Sequence, residues 1–355
     1  MNLLERLQQA LERAKLGALL LMNDKNIYYA VGFMTMDSAA FITPQRAWLI
    51  TDSRYTEDAR NKCLPGVEIL TNSASQPMME TLRTLCSGVS GDIGAEAESL
   101  SHLAWLNTER AVGRTLVGAD AVINGLRAQK TRGELASLIA AQRIAEAALE
   151  AVLPMIKPGL AECELAAELT YQMMRRGSER NSFDPIAITG AHTSMPHGVP
   201  GEALIKSGDF VTMDFGCVKN GYCSDMTRTV AVGSVTDEMK NVYETVLRAQ
   251  RAGIAAAKPT ATGAEVHSAA AKVIAGAGYG EYFGHGFGHG VGLDIHESPR
   301  ASLANGKPLG EGAVISAEPG IYLPGRFGVR IEDVLYLTGD GNEDITRAPK
   351  DLIIL

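Results

Sequence analysis

The residues best suited to chemistry lie in the second half of the chain, and the first of them flank a turn. The stretch MDFGCVKNGYCSDMTRT, Met213–Thr229, carries two carboxylates, Asp214 and Asp225, on either side of Asn220-Gly221. Asn-Gly between alternating residues is a strong hairpin signal, because both central residues of a type I′ turn need φ > 0. With that pair at the tip, Lys219 opposes Tyr222, Val218 opposes Cys223, Cys217 opposes Ser224 and Gly216 opposes Asp225. Side chains alternate along a strand, so Asp214 shares the face of Gly216 and lies diagonally from Asp225, at about 7–8 Å. Val211, Met213 and Phe215 turn the other way, toward a core. Two acids so placed either sit solvated on an open sheet face or share a cation, which takes carboxylate oxygens and removes their repulsion. Two ligands do not complete a metal site, so the others must come from elsewhere.

Three of the seven histidines, His285, His289 and His296, fall in HGFGHGVGLDIHESP. His285 and His289 have the spacing of a zinc helix, but four interleaved glycines disfavour a helix and no Glu follows His285. The segment reads as a loop or strand whose glycines let backbone approach something closely. It lacks both a Walker lysine and the dinucleotide spacing, so phosphate binding is disfavoured. Farther on, SAEPGIYLPGRFGVRIEDVLYL places Glu318 at the end of a strand over 314–317. A second strand over 329–337 puts Arg330, Glu332 and Val334 on one face. An acid inside an apolar strand must be paired or ligating; Arg330 could pair with Glu332 or clamp a substrate carboxylate. Four carboxylates and an imidazole suit two Mn-, Co- or Zn-like ions, which can share a hydroxide, lower its pKa and polarise a carbonyl.

At these residues the chain resembles the pita-bread metallopeptidases: methionine aminopeptidase, aminopeptidase P and prolidase. The resemblance rests on MDFGCVKNGYCSDMTRT, HGFGHGVGLDIHE, SAEPGIYLPG and VRIED in order, with SFDPIAITGAHTSMPHGVP as a looser match, and spans about residues 182–335. TDSRYTEDA and other early segments resemble the N-terminal domain of the proline-specific branch, which methionine aminopeptidases generally lack. The resemblance implies an α+β pita-bread catalytic domain at residues 126–355, preceded by a smaller α/β domain at 1–125. It implies two divalent metal ions, Mn2+ foremost with Co2+ or Zn2+ as alternatives. Asp214 would chelate one metal, His289 and Glu318 the other, and Asp225 and Glu332 would bridge. Glu318 would also act as general base, and Thr227 would hydrogen-bond behind the ligands. His197, His285 and His296 would orient the peptide and stabilise the oxyanion, and Arg330 would hold Glu332 or meet the substrate carboxylate.

The implied reaction is hydrolysis of an Xaa-Pro bond by a metal-bridging hydroxide. The short Glu318–Glu332 interval favours an Xaa-Pro dipeptidase over an Xaa-Pro aminopeptidase. Filled ligand positions argue against a creatinase-like chain or a catalytically silent binding module, and the extra first domain argues against a methionine aminopeptidase. The expected partners are short proline-containing peptides and a second copy in a homodimer.

The elements that must position these groups follow from periodicity. Leu4, Leu7, Leu11 and Ala14 recur at helical spacing over 2–15. Strands over 18–22, 67–70 and 90–95, a hairpin over 39–51 and a helix over 56–63 give alternating elements, hence an α/β layer domain. Its lone His102 reads as a surface or cap residue. The polar stretch 122–134 is the expected boundary. Beyond it come a helical stripe from Leu135 to Val152, a helix over 162–176, and further helical intervals near 237–258 and 263–276. Short strands fill the rest of 182–355.

The chain has 355 residues and a net charge of -8, with no Lys/Arg run, which argues against general nucleic-acid binding. Its 5 cysteines lack CxxC spacing and read as free thiols in a reducing cytosol, although Cys217 and Cys223 could face each other near the hairpin. The amphipathic start MNLLERLQQALERAK has no signal-peptide core and no apolar run spans a bilayer, so the cytoplasm is the expected compartment.

Overall fold

The capping signals at the start of the chain do what their types dictate. Asn2 accepts from the Glu5 N–H while Glu5 accepts from the Asn2 N–H, opening the helix Leu3–Ala14. This is a computed structural model, and it describes residues 2–355. Two compact units make up the chain, the second beginning at Ala128.

The first unit holds a six-stranded sheet in the order β4-β3-β2-β1-β5-β6. Its strands are β1 (Ala18–Leu21), β2 (Ala39–Ile42), β3 (Ala47–Thr51), β4 (Val67–Thr71), β5 (Ile93–Ala95) and β6 (Leu116–Gly118). β1, β2 and β3 are antiparallel neighbours, while β4, β5 and β6 join in parallel. The first three are buried throughout, which explains their continuous apolar runs. The expected strand over 90–95 begins only at Ile93, because Gly91 takes a left-handed φ of 89°. His102 is exposed at the first position of its helix, next to the Ser101 cap.

In the second unit, two sheets each carry a pair of helices. β7 (Arg180–Asn181) pairs with a later strand, described below, and β8 (Ile186–Thr189) edges the first sheet, in the order β12-β9-β8. β9 (Phe210–Phe215) continues through Gly216 into β10 (Cys217–Lys219), which turns into β11 (Tyr222–Cys223) and then β12 (Met226–Ala231). Asn220 and Gly221 have φ of 50° and 76°, as a type I′ turn requires. The expected register holds from Lys219↔Tyr222 to Phe215↔Met226. The ladder nevertheless changes sheets at Gly216: β10 leaves to pair with β7, and a Cβ at Gly216 would stand 1.9 Å from Ser224 O. As the alternation requires, Val211, Met213 and Phe215 pack on Ala141, Ala145 and Leu149 of the helix Arg132–Val152 and on Leu165 and Leu169 of Glu162–Arg175.

The second sheet runs β14-β13-β15-β18-β19, comprising β13 (Gly288–Gly290), β14 (Glu297–Ala301), β15 (Val314–Ala317), β18 (Asp333–Thr338) and β19 (Gly341–Asp344). β16 (Gly320–Leu323) and β17 (Phe327–Arg330) form a separate hairpin. Ile315, Ala317, Leu335 and Leu337 pack on Val242, Val246, Val266 and Ala270 of the helices Asp237–Ala256 and Gly263–Gly276. The first sheet is bonded to the β16–β17 hairpin and to the link that follows it: Thr229 Oγ1 donates to Arg330 O at 3.0 Å, and Glu332 N–H donates to Thr227 O at 3.1 Å. That second bond corrects the expectation of one strand over 329–337. The backbone at Glu332 bonds across to β12 instead of continuing a ladder, so β17 and β18 belong to different sheets.

All five cysteines are free, and the register pairs Cys223 with Val218 rather than Cys217. Burial pushes the Cys63 and Cys86 thiols up to about 11, and Cys217 and Cys223 are buried, whereas Cys163 is exposed. Because the thiolate is the reacting species, a thiol reagent added to native protein should label one residue promptly, Cys163, and the rest only in denaturant. Prompt labelling of two or more would contradict this packing.

Candidate active site

The parity of β9 and β12 decides which side chains reach the meeting of the two sheets. Asp214 stands opposite Thr227 on the polar face, and Asp225, opposite Gly216, shares that face. His289 comes from β13, Glu318 follows β15 directly, and Glu332 lies between β17 and β18. The five residues singled out as ligands therefore converge from segments far apart in sequence. They floor a cavity of about 640 Å³ whose lining also includes His197, His285, His296, Arg330 and Tyr322.

Close approach of backbone explains the glycines around His289. A Cβ at Gly288 would lie 1.9 Å from Ser316 O, and one at Gly290 would lie 2.5 Å from Ser298 O. His289 is 7% exposed; its Nδ1 lies 3.1 Å from Gly290 O, to which it donates, leaving Nε2 aimed at the acids. Nε2 sits 3.1 Å from Glu318 Oε1 and 3.6 Å from Asp225 Oδ2. Ser316 Oγ accepts the His289 backbone N–H and donates to Glu318 Oε1.

The electrostatics describe a site short of positive charge. Burial, reinforced by Asp214, holds the Asp225 carboxyl well above its ordinary value; burial and then Asp225 do the same to Glu332. Burial also raises Asp214, against the pull of Arg330. Burial opposes charge on His289, but Glu318 and Asp225 more than reverse it and raise the imidazole to about 9. Burial likewise opposes charge on Glu318, and His289 overrides it, bringing that carboxyl to about 2. Two buried carboxylate oxygens, Asp214 Oδ1 and Glu332 Oε1, have no hydrogen-bond partner. One ligand atom each from Asp225, His289 and Glu332 lies within 4.8 Å of the others. Unpartnered carboxylate oxygens beside an imidazole nitrogen that faces two acids are the donor set of divalent cations, so the residues present fit such ions.

Arg330 is where the structure departs from the expected pairing. Its guanidinium reaches Asp214 Oδ2 at 2.6 Å, Thr227 Oγ1 at 3.0 Å and the Tyr322 hydroxyl at 2.9 Å. Glu332 is held instead by Thr227, whose hydroxyl donates to Oε2 at 2.7 Å. Thr227 thus bridges Arg330 and Glu332. His285 has both ring nitrogens engaged, with Gly286 O at 2.9 Å and Tyr322 OH at 3.0 Å, and burial lowers its pKa. His296 packs edge-on to His289 with ring centroids 4.2 Å apart, while His197 is exposed in the cavity wall.

Sequence reasoning missed several groups. Tyr322 links His285 to Arg330, although its place four residues after Glu318 in an apolar run carried no signal. Asp333 is fully buried, with Arg228 and Lys350 on its carboxylate. Glu162, 1% exposed, accepts from His192. Arg300 lines the cavity, exposed, and among the described residues its guanidinium has no ion-pair partner.

Comparison with known proteins adds an independent line. The pattern of Metallopeptidase family M24 matches residues 136–339, and that of the Creatinase/Prolidase N-terminal domain matches residues 4–129. An Xaa-Pro dipeptidase from Bacillus anthracis superposes with a TM-score of 0.94 at 39% identity, covering 99% of each chain. An X-Pro aminopeptidase from Thermotoga maritima superposes with a TM-score of 0.91 at 34% identity, covering 98% of this chain and 100% of the other. The Xaa-Pro dipeptidase of Pyrococcus furiosus is 34% identical over 353 residues, 99% of each chain. With its fold, its converging acids and histidine, and these relatives in agreement, the chain belongs to metallopeptidase family M24, with a creatinase/prolidase N-terminal domain ahead of the catalytic one.

Proposed function

We propose that the protein hydrolyses the peptide bond of Xaa-Pro dipeptides. The observation that carries this reading is a floor of four carboxylates and one imidazole, short of positive charge, beneath a cavity whose rim holds one cation without an ion-pair partner. Asp214, Asp225, His289, Glu318 and Glu332 would hold two divalent ions, Mn2+ before Co2+ or Zn2+. When bound, the ions supply Lewis acidity and a nucleophilic water at neutral pH.

The chain's own residues do the rest. Ser316 Oγ donates to Glu318 Oε1, which leaves Oε2 to accept the proton of the attacking water and return it to the proline nitrogen. Arg330 fixes Asp214 and, through Thr227, Glu332. His197 and His296 face the peptide and donate to the carbonyl as charge develops on its oxygen, whereas His285 bears on it through the Tyr322 hydroxyl. Phe183, Pro185, Ile186, Val199 and Ile295 supply an apolar wall for the pyrrolidine ring, which offers no N–H to a general peptidase.

Arg300 favours the dipeptidase, because a dipeptide carries its free carboxylate one residue beyond the scissile bond and a longer peptide does not. The curated relatives and solved structures named for dipeptide cleavage support the same choice. The test gives Mn2+-reloaded protein Ala-Pro and Ala-Pro-Ala side by side. We expect kcat/KM to favour Ala-Pro by at least about tenfold, which is about 1.4 kcal/mol. Arg300→Ala should raise KM for Ala-Pro by about the same factor and leave Ala-Pro-Ala unaffected. Equal or better tripeptide cleavage would make the protein an aminopeptidase, and cleavage of neither by metal-loaded protein would end the proline-peptidase reading.

The enzyme would act in the cytoplasm as a homodimer. Among the described residues no helix is long and apolar enough to cross a membrane.

A further inference from the structure

The segment Thr189–Gly201 carries His197 and contributes Pro196, Gly198 and Val199 to the cavity wall. Its far edge is tied to the strand that bears Arg330: Gly328 N–H donates to Thr193 Oγ1 at 2.8 Å, and Arg330 Nη1 reaches Pro196 O at 3.3 Å. Its near edge is held by one buried carboxylate that no step of the reaction uses. Glu162, 1% exposed at the start of the helix Glu162–Arg175, accepts the Thr189 N–H at 2.8 Å on Oε1 and the Gly201 N–H at 3.0 Å on Oε2. His192 Nδ1 lies between the two oxygens, at 2.9 and 3.0 Å. The His192 ring in turn packs against the residue after His197: a Cβ at Gly198 would stand 2.9 Å from its Nε2.

We infer that Glu162 and His192 are positioning residues, a clasp that closes both ends of the segment and sets where His197 meets the substrate. A carboxylate is needed because all three groups that meet it are donors. Glutamate offers two oxygens to three N–H donors, whereas glutamine must turn its NH2 toward Thr189 or Gly201, leaving that buried donor unpaired. The inference rests on the reading of the cavity as a peptide site.

Two measurements on the full-length protein separate the clasp from that reading. The first is hydrogen exchange of Glu162→Gln against wild type. Protection of at least one of the Thr189 and Gly201 amides should fall by about tenfold or more, while β9 amides hold; unchanged protection at both overturns the clasp, whatever the enzyme cleaves. The second is a double-mutant cycle on Ala-Pro with Mn2+-loaded protein. Glu162→Gln should lower kcat about tenfold with KM changed less than about twofold, and in a His197→Ala background it should change kcat/KM by less than about twofold. Equal effects in both backgrounds would mean that Glu162 serves stability only, and overturn the inference. A wild type that cleaves no Xaa-Pro peptide would instead sink the proposed function, and the exchange experiment would still decide whether the clasp exists.

Discussion

Asp225→Asn is expected to lower kcat/KM for Ala-Pro by at least about a thousandfold and to reduce bound metal below two equivalents, while the protein stays folded. Asp225 is nearly fully buried between Asp214 and His289, and its carboxylate is one of three ligand groups that already stand within 4.8 Å of one another. An amide keeps the shape but brings no charge and one fewer oxygen. The loss should exceed the cost of removing a single oxyanion donor, roughly a hundred- to a thousandfold, because it weakens the group that supplies the nucleophile. Folding should survive, because the substitution relieves repulsion with Asp214, a source of the raised Asp225 value. Metal analysis by mass spectrometry with far-ultraviolet circular dichroism checks both halves. Full metal content with full activity would remove Asp225 from the site.

The second large effect is on stability. Arg228→Leu should destabilise the protein by about 3–5 kcal/mol, as breaking a buried ion pair does. At about 2–4 °C per kcal/mol for a unit of this size, the melting temperature should fall by roughly 6–20 °C. The guanidinium donates to Asp333 Oδ1 at 2.7 Å, and to the carbonyls of Thr227, Glu332, Ala348 and Pro349. The two side chains are 3% and 0% exposed, so water cannot replace the lost partner. Adding Asp333→Leu to Arg228→Leu should recover part of the loss, since Lys350 keeps Asp344 and the buried Asp333 charge, left with one cation instead of two, is removed. Calorimetric scans of the single and double variants decide it. A double variant no more stable than the single would show that the carbonyl bonds, not the ion pair, carry the effect.

Much of the floor was legible because one turn fixes one register. Asn220-Gly221 sets the tip, and the period of two then places Asp214 and Asp225 on the face opposite Met213 and Phe215. The helices followed from their apolar periodicity. The partner of Arg330 was not legible. Alternation put Arg330 beside Glu332 on one strand, but the backbone of Glu332 bonds to β12, and Arg330 meets Asp214 across 116 positions of sequence. Such a contact depends on how two sheets face, which no local pattern encodes. The Glu162–His192 pair is similarly hidden, since its members lie 30 residues apart in ordinary helix and turn sequence. Arg228 and Asp333 did leave a sign. Each is a charge inside an apolar strand, MTRTVA and DVLYLT, the anomaly that singled out Glu332.

The carbonyl bonds of Arg228 have a consequence for the order of events during synthesis. Arg228 and Asp333 leave the ribosome before Ala348, Pro349 and Lys350, yet those later residues supply two of the carbonyls on Arg228 and an ammonium on Asp333. At about 5–20 residues per second the interval is only seconds, but through it the packing behind Thr227 and Glu332 is incomplete. Ala231 N–H also waits for Ile353 O to finish its strand edge. The nascent catalytic unit therefore cannot finish its own active site early, and a chain stalled before Ala348 would leave Arg228 short of two carbonyls and Asp333 short of its ammonium.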